Sequence, residues 1–391
     1  MSEKVITSYK GFDKDMQCRG FQYEVGKEYD MDGEIKCCNR GFHACESPLE
    51  VWDHYDMLAS RFAKVEQSGK IDEEEKSTKV CSSHIKIKAE LKLADIINIG
   101  VEWLKDITSP SKVKADGVLN DNGDRKKQIG SSGDSAKIGS SGYYAKIGSS
   151  GDSAKIGSSG DYAKIGSSGD SAQIGSSGDS AQIGSSGDSA KIGSSGDYAQ
   201  IGSSGDYAQI GSSGDYAKIG SSSDSAQIGS SGGSAKIGSS GDYAQIGSSG
   251  DSAQIGSSGD SAQIGSSGDY AQIGSSGDSA NIGSSGDYAK IGSSGDSAQI
   301  GSSGDSAQIG SSGDSAQIDS TGEDSVIMCA GNKSKAKAKI GSWITLAEWK
   351  WSDEKKHDVP VCVKTEYVDG VNIKADTWYQ LRNGKFVEVN E

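Results

Sequence analysis

The sequence predicts a mainly β fold, dominated by a parallel β-solenoid of the two-sheet β-roll type. The first observation is a strict repeat: residues 129–317 are twenty-one units of nine residues with the consensus Ile-Gly-Ser-Ser-Gly-Asp-(Ser or Tyr)-Ala-(Lys or Gln). The second is that apolar and polar residues alternate in Ser/Tyr-Ala-Lys/Gln-Ile-Gly. Ala and Ile are two positions apart, so in a strand both side chains point to the same, buried face. The third is the turn signal Ser-Ser-Gly-Asp, in which Gly accepts positive φ and Asp and Ser bond nearby backbone.

The repeat length also predicts the size of the coil. One unit of nine residues is too short to enclose a core, whereas two units close a coil of about 18 residues per turn. The 189 repeat residues then give roughly ten turns (189/18). Gly/Ser-rich sequence is also typical of flexible linkers. A linker has no reason to keep an Ile at every ninth position, so the register favours the solenoid.

The N-terminal flank, residues 1–110, predicts a small α+β domain. Its strands are expected at residues 5–12, 20–31 and 79–93. A helix is expected over residues 47–65, with Ser47 as N-cap and Pro48 at the first helical position. Residues 111–128 predict a polar connection to the repeats.

The C-terminal flank, residues 318–391, predicts a final coil and a β-rich cap. Val326, Met328 and Ala330 keep the alternation, which predicts a last coil with larger core residues. The following strands, with Val-Asp-Gly and Arg-Asn-Gly as turn signals, are expected to cover the open edge of the solenoid.

Composition excludes several classes of protein. A formal charge of -15 and a pI near 4.8 argue against binding to nucleic acid or an anionic membrane. Seven cysteines, none in the repeats, do not fit a disulfide framework. No apolar run predicts a secretory signal or a membrane helix. These features predict a cytoplasmic protein, and a virion protein or one released into a host cytoplasm has the same features.

The tyrosines of the repeats predict an exposed row on one face. With 18 residues per turn, two of the eight at the Ser/Tyr position, Tyr207 and Tyr243, fall on the other face. The six that share a face are Tyr144, Tyr162, Tyr198, Tyr216, Tyr270 and Tyr288. An exposed aromatic row with adjacent Lys and Gln is a candidate binding surface. The alternative is that the rings only stack along the sheet.

Two known repeat classes resemble this one. Read as GSSGDSAQI, the unit is similar to the calcium-binding toxin repeats G-G-x-G-x-D-x-U-x, with Asp one place early and Ser for the second Gly. That resemblance implies a β-roll, whereas calcium ligation does not transfer and stays an open question for the Asp turns. Residues 322–343 resemble the head repeats of trimeric bacterial adhesins, which implies a parallel β-roll and an oligomer.

The flanks resemble an uncharacterised family of bacterial and bacteriophage proteins. The relevant segments are GFHACESPLEVWDHY, GSWITLAEW and VKTEYVDG. Gly41-Phe42-His43-Ala44-Cys45, followed by Pro48, Val51 and Tyr55, is also similar to a segment of ADP-ribosyltransferase-like folds. That likeness implies His43 and Tyr55 as candidate catalytic residues. Tyr9-Lys10-Gly11 stands where such enzymes carry Arg or His, and no late Glu is assignable.

Cysteine and histidine side chains near His43 raise the question of a metal site. Cys37, Cys38, His43 and Cys45 are zinc-ligand types, but the spacing C-C-x4-H-x-C is not a usual structural pattern. The alternative is a set of buried free thiols beside one histidine. No phosphate loop is present, because the Gly-rich stretches are repeat sequence, and no cofactor is predicted.

The combined prediction is a non-catalytic, elongated scaffold or protein-binding module. It displays Tyr, Lys and Gln rows to a protein partner or to further copies of itself as a homo-oligomer, and it is encoded by a phage or a mobile element. The competing prediction is an active or degenerate ADP-ribosyltransferase-like domain carried on the solenoid. An enzyme requires a cleft in which His43 and Tyr55 meet a carboxylate, whereas a scaffold packs both side chains in a core.

Overall fold

The fold was analysed in a computed structural model, which describes residues 4–74, 78–107, 118–121 and 128–390. The chain divides into two units. The first comprises Met1–Gln182, Lys191–Gly196 and Gly211–Ser213, and the second comprises Ile183–Ala190, Asp197–Ile210 and Gly214–Glu391. Most of the predicted connection, residues 111–128, lies outside the described residues. In the described parts of the chain, the helices are too short or too polar to span a bilayer.

The N-terminal part of the first unit is a small β structure in which four strands close on each other. The sheet has the order β4-β7-β5-β1-β6, and β6 also pairs with β7, while β2 and β3 form a separate hairpin. The strands are β1 (Ile6–Phe12), β2 (Gln17–Cys18), β3 (Phe21–Gln22), β4 (Glu28–Asp30), β5 (Phe42–Cys45), β6 (Arg61–Glu73) and β7 (Lys79–Leu91). The predicted strand at residues 5–12 is confirmed as β1, and that at residues 79–93 is confirmed as β7 up to Leu91. The predicted continuous strand at residues 20–31 is wrong, because only the short β3 and β4 form there.

The predicted helix over residues 47–65 is wrong. Only a short 3-10 helix (Leu49–Asp53) forms there, and residues from Arg61 onward belong to β6. The alternating burial of Phe62 to Gln67 against β1 and β7 overrides the helical spacing of the earlier apolar residues. The long helix is α1 (Leu93–Ile107), a segment for which no helix was predicted.

The repeats and the coils next to them form a parallel β-solenoid of about twelve turns, with about 18 residues per turn. In the first unit Ile138 pairs with Ile156, and in the second Ile264 pairs with Ile282, both 18 positions apart. Alternate strands of the coils belong to two sheets, which we call sheet A (the even-numbered coil strands) and sheet B (the odd-numbered coil strands). The predicted fold class is therefore confirmed, and the flanks contribute the coils beyond the roughly ten expected from the repeats.

The solenoid strands are short and regularly spaced. Those of sheet A are β8 (Val118–Asp121), β10 (Lys137–Ser140), β12 (Lys155–Ser158), β14 (Gln173–Ser176), β16 (Lys191–Ser194), β18 (Gln209–Ser212), β20 (Gln227–Ser230), β22 (Gln245–Ser248), β24 (Gln263–Ser266), β26 (Asn281–Ser284), β28 (Gln299–Ser302), β30 (Gln317–Ser320) and β32 (Lys335–Lys337). Those of sheet B are β9 (Gln128–Ser131), β11 (Lys146–Ser149), β13 (Lys164–Ser167), β15 (Gln182–Ser185), β17 (Gln200–Ser203), β19 (Lys218–Ser221), β21 (Lys236–Ser239), β23 (Gln254–Ser257), β25 (Gln272–Ser275), β27 (Lys290–Ser293), β29 (Gln308–Ser311) and β31 (Val326–Cys329).

The inside of the solenoid is a ladder of Ala and Ile, as predicted. From Ala145 to Ala316 each repeat Ala is fully buried, and the Ile side chains are nearly so. The strand itself starts later than expected, at Lys or Gln, and runs through Ile, Gly and Ser. The Ser/Tyr position therefore lies in the corner before the strand rather than within it. The last Ser of the strand is buried in most coils, and in many of them its Oγ accepts the N–H two residues on, as Ser257 does from Gly259 at 3.4 Å.

The corner glycine of Ser-Ser-Gly-Asp is required by stacking between turns. A Cβ on Gly259 would lie 1.9 Å from the carbonyl oxygen of Gly241, one turn earlier. The corner glycines are not among the residues with positive φ, so the requirement is close backbone approach rather than turn geometry. The strand glycine, by contrast, faces outward, and a Cβ on Gly256 meets nothing within 4 Å.

Within the first unit, α1 and the 3-10 helix lie on sheet A. Apolar side chains of α1 pack against the outward-facing glycines of sheet A. A Cβ on Gly193 would lie 3.4 Å from Val101 Cγ2, and a Cβ on Gly211 would lie 2.8 Å from Ile97 Cγ1. Glu50 is buried at this contact and accepts hydrogen bonds from Gln173 Nε2 at 3.0 Å and Lys155 Nζ at 3.3 Å. Because glycine has no side chain, the outer face of sheet A is flat at these positions and α1 packs closely against it.

The charges of sheet A match this contact. Among its repeat strands, Lys occupies the outward first position only in β10, β12 and β16, and elsewhere that position is Gln or Asn. Lys155 pairs with Glu50, and Lys191 Nζ lies 2.5 Å from Asp53 Oδ1. Two of these three lysines therefore meet acidic side chains of the domain that is docked on this sheet.

The C-terminal cap consists of two antiparallel hairpins in the second unit. The strands are β33 (Trp343–Ser352), β34 (His357–Tyr367), β35 (Tyr379–Arg382) and β36 (Lys385–Glu388). The β33–β34 hairpin extends sheet B and the β35–β36 hairpin extends sheet A. Asn383 and Gly384 both have positive φ, as a two-residue hairpin turn requires. The Val-Asp-Gly segment is instead a local turn in which Asp369 accepts three backbone N–H groups.

The last coil exists, but its alternation is the reverse of that predicted. Ile327 and Cys329 are buried, whereas Val326 and Met328 point outward with exposed fractions of 51% and 54%. The register explains the reversal, because Ile327 pairs with Ile309 and continues the core ladder. The large apolar residues of this coil therefore lie on the outer face of sheet B.

Candidate functional site

The N-terminal domain contains an open cleft of about 1100 Å³. It lies along β1, β5, the β2–β3 hairpin and the 3-10 helix, all within the first unit. Both sequence-predicted candidates line it, His43 from β5 and Tyr55 from the turn after the 3-10 helix. Both side chains are half-buried, and Tyr55 also packs against the apolar core of the domain, so the arrangement combines features of the scaffold and of the enzyme expectation.

His43 is neutral at physiological pH. Burial, with Lys10 and Lys79 nearby, lowers the pKa of His43 to about 4. Its Nε2 accepts the backbone N–H of Cys38 at 3.1 Å, so this nitrogen carries no proton in the observed arrangement. An imidazole in this state serves as an acceptor in the cleft wall.

Tyr55 is held in place from two sides. Its ring lies on the backbone of Gly11, where a Cβ would be 2.3 Å from Tyr55 Cγ. Its hydroxyl shares a 2.9 Å hydrogen bond with the thiol of Cys18. Burial and the bond to Cys18 raise the pKa of Tyr55, so the phenol is protonated at neutral pH.

Lys10 is a candidate functional residue that sequence reasoning missed. In the sequence it stands out only as a departure from Arg or His, yet its side chain is buried on the cleft wall. Nζ donates to the carbonyl oxygen of His43 at 2.9 Å and lies 3.6 Å from Cys18 Sγ. The rings of Phe12 and Tyr23 are each 5.6 Å away. Burial lowers the pKa of Lys10, and the contact with Cys18 opposes this shift without cancelling it. No carboxylate of the described residues bonds Nζ.

The carboxylates that line the cleft are engaged elsewhere. Asp13 accepts the backbone N–H of Gln17 at 2.7 Å, and Asp56 accepts those of Leu58 and Ala59. Asp53 pairs with Lys191. Within the described residues, no carboxylate bonds the His43 ring or the Tyr55 hydroxyl. The cleft therefore has the two candidates of the enzyme prediction without the acid that was expected to meet them.

The zinc-ligand types do not converge on a common point. Cys37 Sγ donates to the Asp72 carbonyl oxygen at 3.3 Å, Cys38 is exposed beside Lys79, and Cys45 is buried. Burial raises the pKa of Cys45 to about 12, which keeps it a thiol. In the described ranges, no group of three or more His, Cys, Asp or Glu side chains is placed to hold a metal ion.

The six same-face tyrosines lie in the corner before strands of sheet B, with exposed fractions between 45% and 57%. They form three stacked pairs with ring centroids 5.2–5.5 Å apart: Tyr144–Tyr162, Tyr198–Tyr216 and Tyr270–Tyr288. Serine occupies the positions between pairs. Both interpretations of the tyrosines therefore have support, because the rings stack and also present open faces to solvent.

Some Asp residues of the corners join one turn to the next. Asp287 Oδ1 accepts the backbone N–H of Asp305 at 2.8 Å, and Asp314 Oδ1 accepts that of Asn332 at 2.7 Å. Each bond joins residues 18 positions apart and ties one turn to the next. This is a structural use of the Asp position that needs no cation.

Comparison with known proteins finds one match. Residues 6–99 match the model of a domain of unknown function, DUF7666. The match covers the strands and the 3-10 helix that form the cleft and ends within α1. No curated protein and no solved structure matches the chain. The bacterial or bacteriophage origin implied by the resemblance stays a prediction.

We expect Gly11→Ala to displace Tyr55 and destabilise the N-terminal domain by about 2–3 kcal/mol, because a methyl group there overlaps the ring. Tyr55→Phe keeps the ring and removes only the bond to Cys18, at a cost of about 1 kcal/mol. Hydrogen exchange of β1 and β5 in the full chain measures the loss of stability that each substitution causes. Equal effects of the two substitutions would contradict the role assigned to Gly11.

Proposed function

We propose that this protein is a binding scaffold. Its N-terminal domain binds a small anionic molecule in the cleft. The solenoid carries that domain and presents Tyr, Lys and Gln side chains to protein partners or to further copies of the chain. The observation that carries the proposal is Lys10, whose Nζ is buried on the cleft wall and contacts a carbonyl oxygen and a sulfur atom but no carboxylate of the described residues.

The charge of the cleft supports an anionic ligand. Five cationic and three anionic side chains line it, in a chain whose formal charge is -15. Arg19 lies at the rim, and no carboxylate of the described residues pairs with it. A buried ammonium without a counter-ion is costly, so an anion that reaches Lys10 gains a charge-assisted bond that the free protein lacks. Aromatic side chains, including Tyr9 and Tyr23, complete a wall on which a planar group can stack.

A thermal-shift series tests this proposal on the full chain with phosphate, pyrophosphate, citrate and ADP-ribose as probes. We expect at least one probe to stabilise the wild type by about 2–3 kcal/mol at saturation. Lys10→Met should abolish that shift, while its own stability without probe should equal or exceed that of the wild type, because a buried unpaired charge is removed.

Lys88→Met is the matched control, since Lys88 is exposed and pairs with Glu66 across the sheet. It should keep the probe-induced shift. The proposal fails if no anion of the series stabilises the wild type, or if Lys10→Met responds as the wild type does.

A second candidate function is ADP-ribosyl transfer, favoured by the presence of His43 and Tyr55 in one open cleft. Against it stands the engagement of Asp13, Asp53 and Asp56 with other groups. Release of nicotinamide from NAD separates the two functions. We expect no release above background from the wild type, and release that His43→Ala abolishes would establish the enzyme instead.

A further inference from the structure

The tyrosine row of the second unit contains a gap that has the length of one stacked pair. Within this unit the row holds the pairs Tyr198–Tyr216 and Tyr270–Tyr288, with ring centroids 5.2 and 5.5 Å apart. Tyr216 and Tyr270 are three turns of about 18 residues apart. Turns that stack at about 4.8 Å leave roughly 14 Å between these two rings. Three ring-to-ring steps span that distance, so two further rings fit in the gap.

The two coils in the gap carry only small side chains at this corner. Ser234 and Ser252 occupy the tyrosine position, and each donates its backbone N–H to the preceding turn, as Tyr270 does. Beside Ser234 the Asp of the repeat is replaced by Gly233. The gap therefore keeps the backbone of the row but lacks its rings and one of its charges.

We propose that two copies of this chain pair through this corner, antiparallel about a two-fold axis midway between the coil of Ser252 and the coil of Tyr270. The partner's Tyr270 then lies beside Ser252, and the partner's Tyr288 lies beside Ser234. By symmetry, the same two rings of the first copy fill the gap of the partner. The rings of both copies form one continuous stack in place of separate pairs, and such an isologous contact closes on itself.

The spacing of the tyrosines selects this register. Outside the gap, Tyr198 and Tyr216 also face short side chains of the partner. Those side chains are Asp324 and Ser306, respectively. In the alternative antiparallel register, the partner's first pair enters the gap and Tyr162 is placed opposite Tyr288, so two rings compete for one position. The proposed register leaves each ring opposite a short side chain.

The charges at this corner make the contact dependent on salt. An antiparallel two-fold arrangement places the Asp rows of the two copies on the same side of the ring stack. Asp residues therefore lie across from each other, except where Gly233 lies across from Asp287. We expect the dimer to strengthen as added salt screens this repulsion.

The inference deepens the self-association part of the proposed function, on which it rests, and is independent of the cleft. Sedimentation velocity of the full chain at about 100 μM tests it, because a narrow strip lies at the weak end of interface sizes. We expect a dimer for the wild type and a monomer for the double variant Tyr270→Ser with Tyr288→Ser. Serine is the residue that most other repeats carry at this position, so the double variant keeps a side chain that the solenoid accepts.

A gap-filling variant separates interdigitation from general attraction between aromatic surfaces. Ser234→Tyr adds a ring where the partner's Tyr288 lies, so it should give a monomer although it makes the surface more aromatic. General aromatic attraction predicts the reverse, a tighter dimer. The matched control is Tyr207→Ser with Tyr243→Ser, because these rings lie on the other corner with exposed fractions of 64% and 65%. This control should remain dimeric.

A monomeric wild type overturns the inference, and so does a dimer that persists in Ser234→Tyr or in the double variant of Tyr270 and Tyr288. Probe binding in the cleft should be the same in these variants and in the wild type. Failure of the dimer is therefore distinguishable from failure of anion binding in the cleft.

Discussion

Gly259→Ala should destabilise the solenoid by about 2–4 kcal/mol, although it adds a single methyl group. That methyl would lie 1.9 Å from the carbonyl oxygen of Gly241, so the corner of one turn must move away from the next. The displacement weakens the ladder bonds on either side of the corner. Thermal unfolding by circular dichroism and hydrogen exchange of β21–β25 measure the effect.

The matched control is Gly256→Ala, three residues earlier in the same coil. Its methyl group meets nothing within 4 Å, and it removes backbone freedom from the unfolded chain, so we expect no loss or a gain of about 0.5 kcal/mol. Ser223 occupies a corner position naturally, buried and without a hydrogen bond to its Oγ, which marks that coil as a weak point. Equal melting of the two glycine variants would refute the stacking explanation.

Glu50→Ala should release the N-terminal domain from sheet A at a cost of about 3–5 kcal/mol. The substitution leaves Lys155 and Gln173 without the carboxylate that they bond at the buried contact. It also removes the acceptor for the backbone N–H and hydroxyl of Thr78. We expect faster hydrogen exchange in α1, β12 and β14.

The control for Glu50 is Glu90→Ala, which breaks an exposed pair with Arg61 and should cost less than about 1 kcal/mol. Lys155→Gln in the Glu50→Ala background should add little, because its partner is already gone. If hydrogen-exchange protection of α1 is unchanged in Glu50→Ala, packing of α1 on the glycines of sheet A is sufficient to keep the domain docked.

The same carboxylate predicts a pH dependence. Burial raises the pKa of Glu50, but hydrogen bonds from Thr78 and Gln173 and the charge of Lys155 outweigh it, so the folded-state pKa lies below the ordinary value. A lowered carboxyl pKa stabilises the docked state above the unfolded pKa of about 4.3. That contribution is lost as the pH falls through the lower folded-state pKa. Protection of α1 should therefore be constant from pH 8 to 5 and decrease in more acidic solution.

The solenoid was predictable because its signal is repeated. The same strand and turn pattern occurs in twenty-one copies, so the assignment does not depend on any single segment. The alternation of Ala and Ile with polar residues identifies the buried positions directly. The segment from Ser47 to Val65 was misassigned because its apolar spacing fits a helix, while the pairing partners that make Arg61–Glu73 a strand are distant in sequence. Tertiary pairing overrode local periodicity there.

The candidate site was only partly predictable. The resemblance located His43 and Tyr55, and both line the cleft. Lys10 was not found because β1 is buried on both faces around it, so alternation gives no signal for a charged residue facing a cavity. Whether a carboxylate is available in the cleft could not be predicted either. Only the fold reveals that Asp53 is paired with a lysine 138 positions later in the chain.

Each turn of the solenoid contains two repeats, so the sheet to which a strand belongs depends on whether an even or an odd number of repeats precedes it. Removing or adding a single nine-residue unit moves every later strand to the opposite sheet, whereas a change of two units returns each strand to its own sheet. An odd change upstream of Lys155 would therefore exchange the lysines that meet Glu50 and Asp53 for positions of the other sheet. Near-identical repeats are expected to change in number, so variants that retain the docked domain should differ by even counts in the part of the array before Lys155.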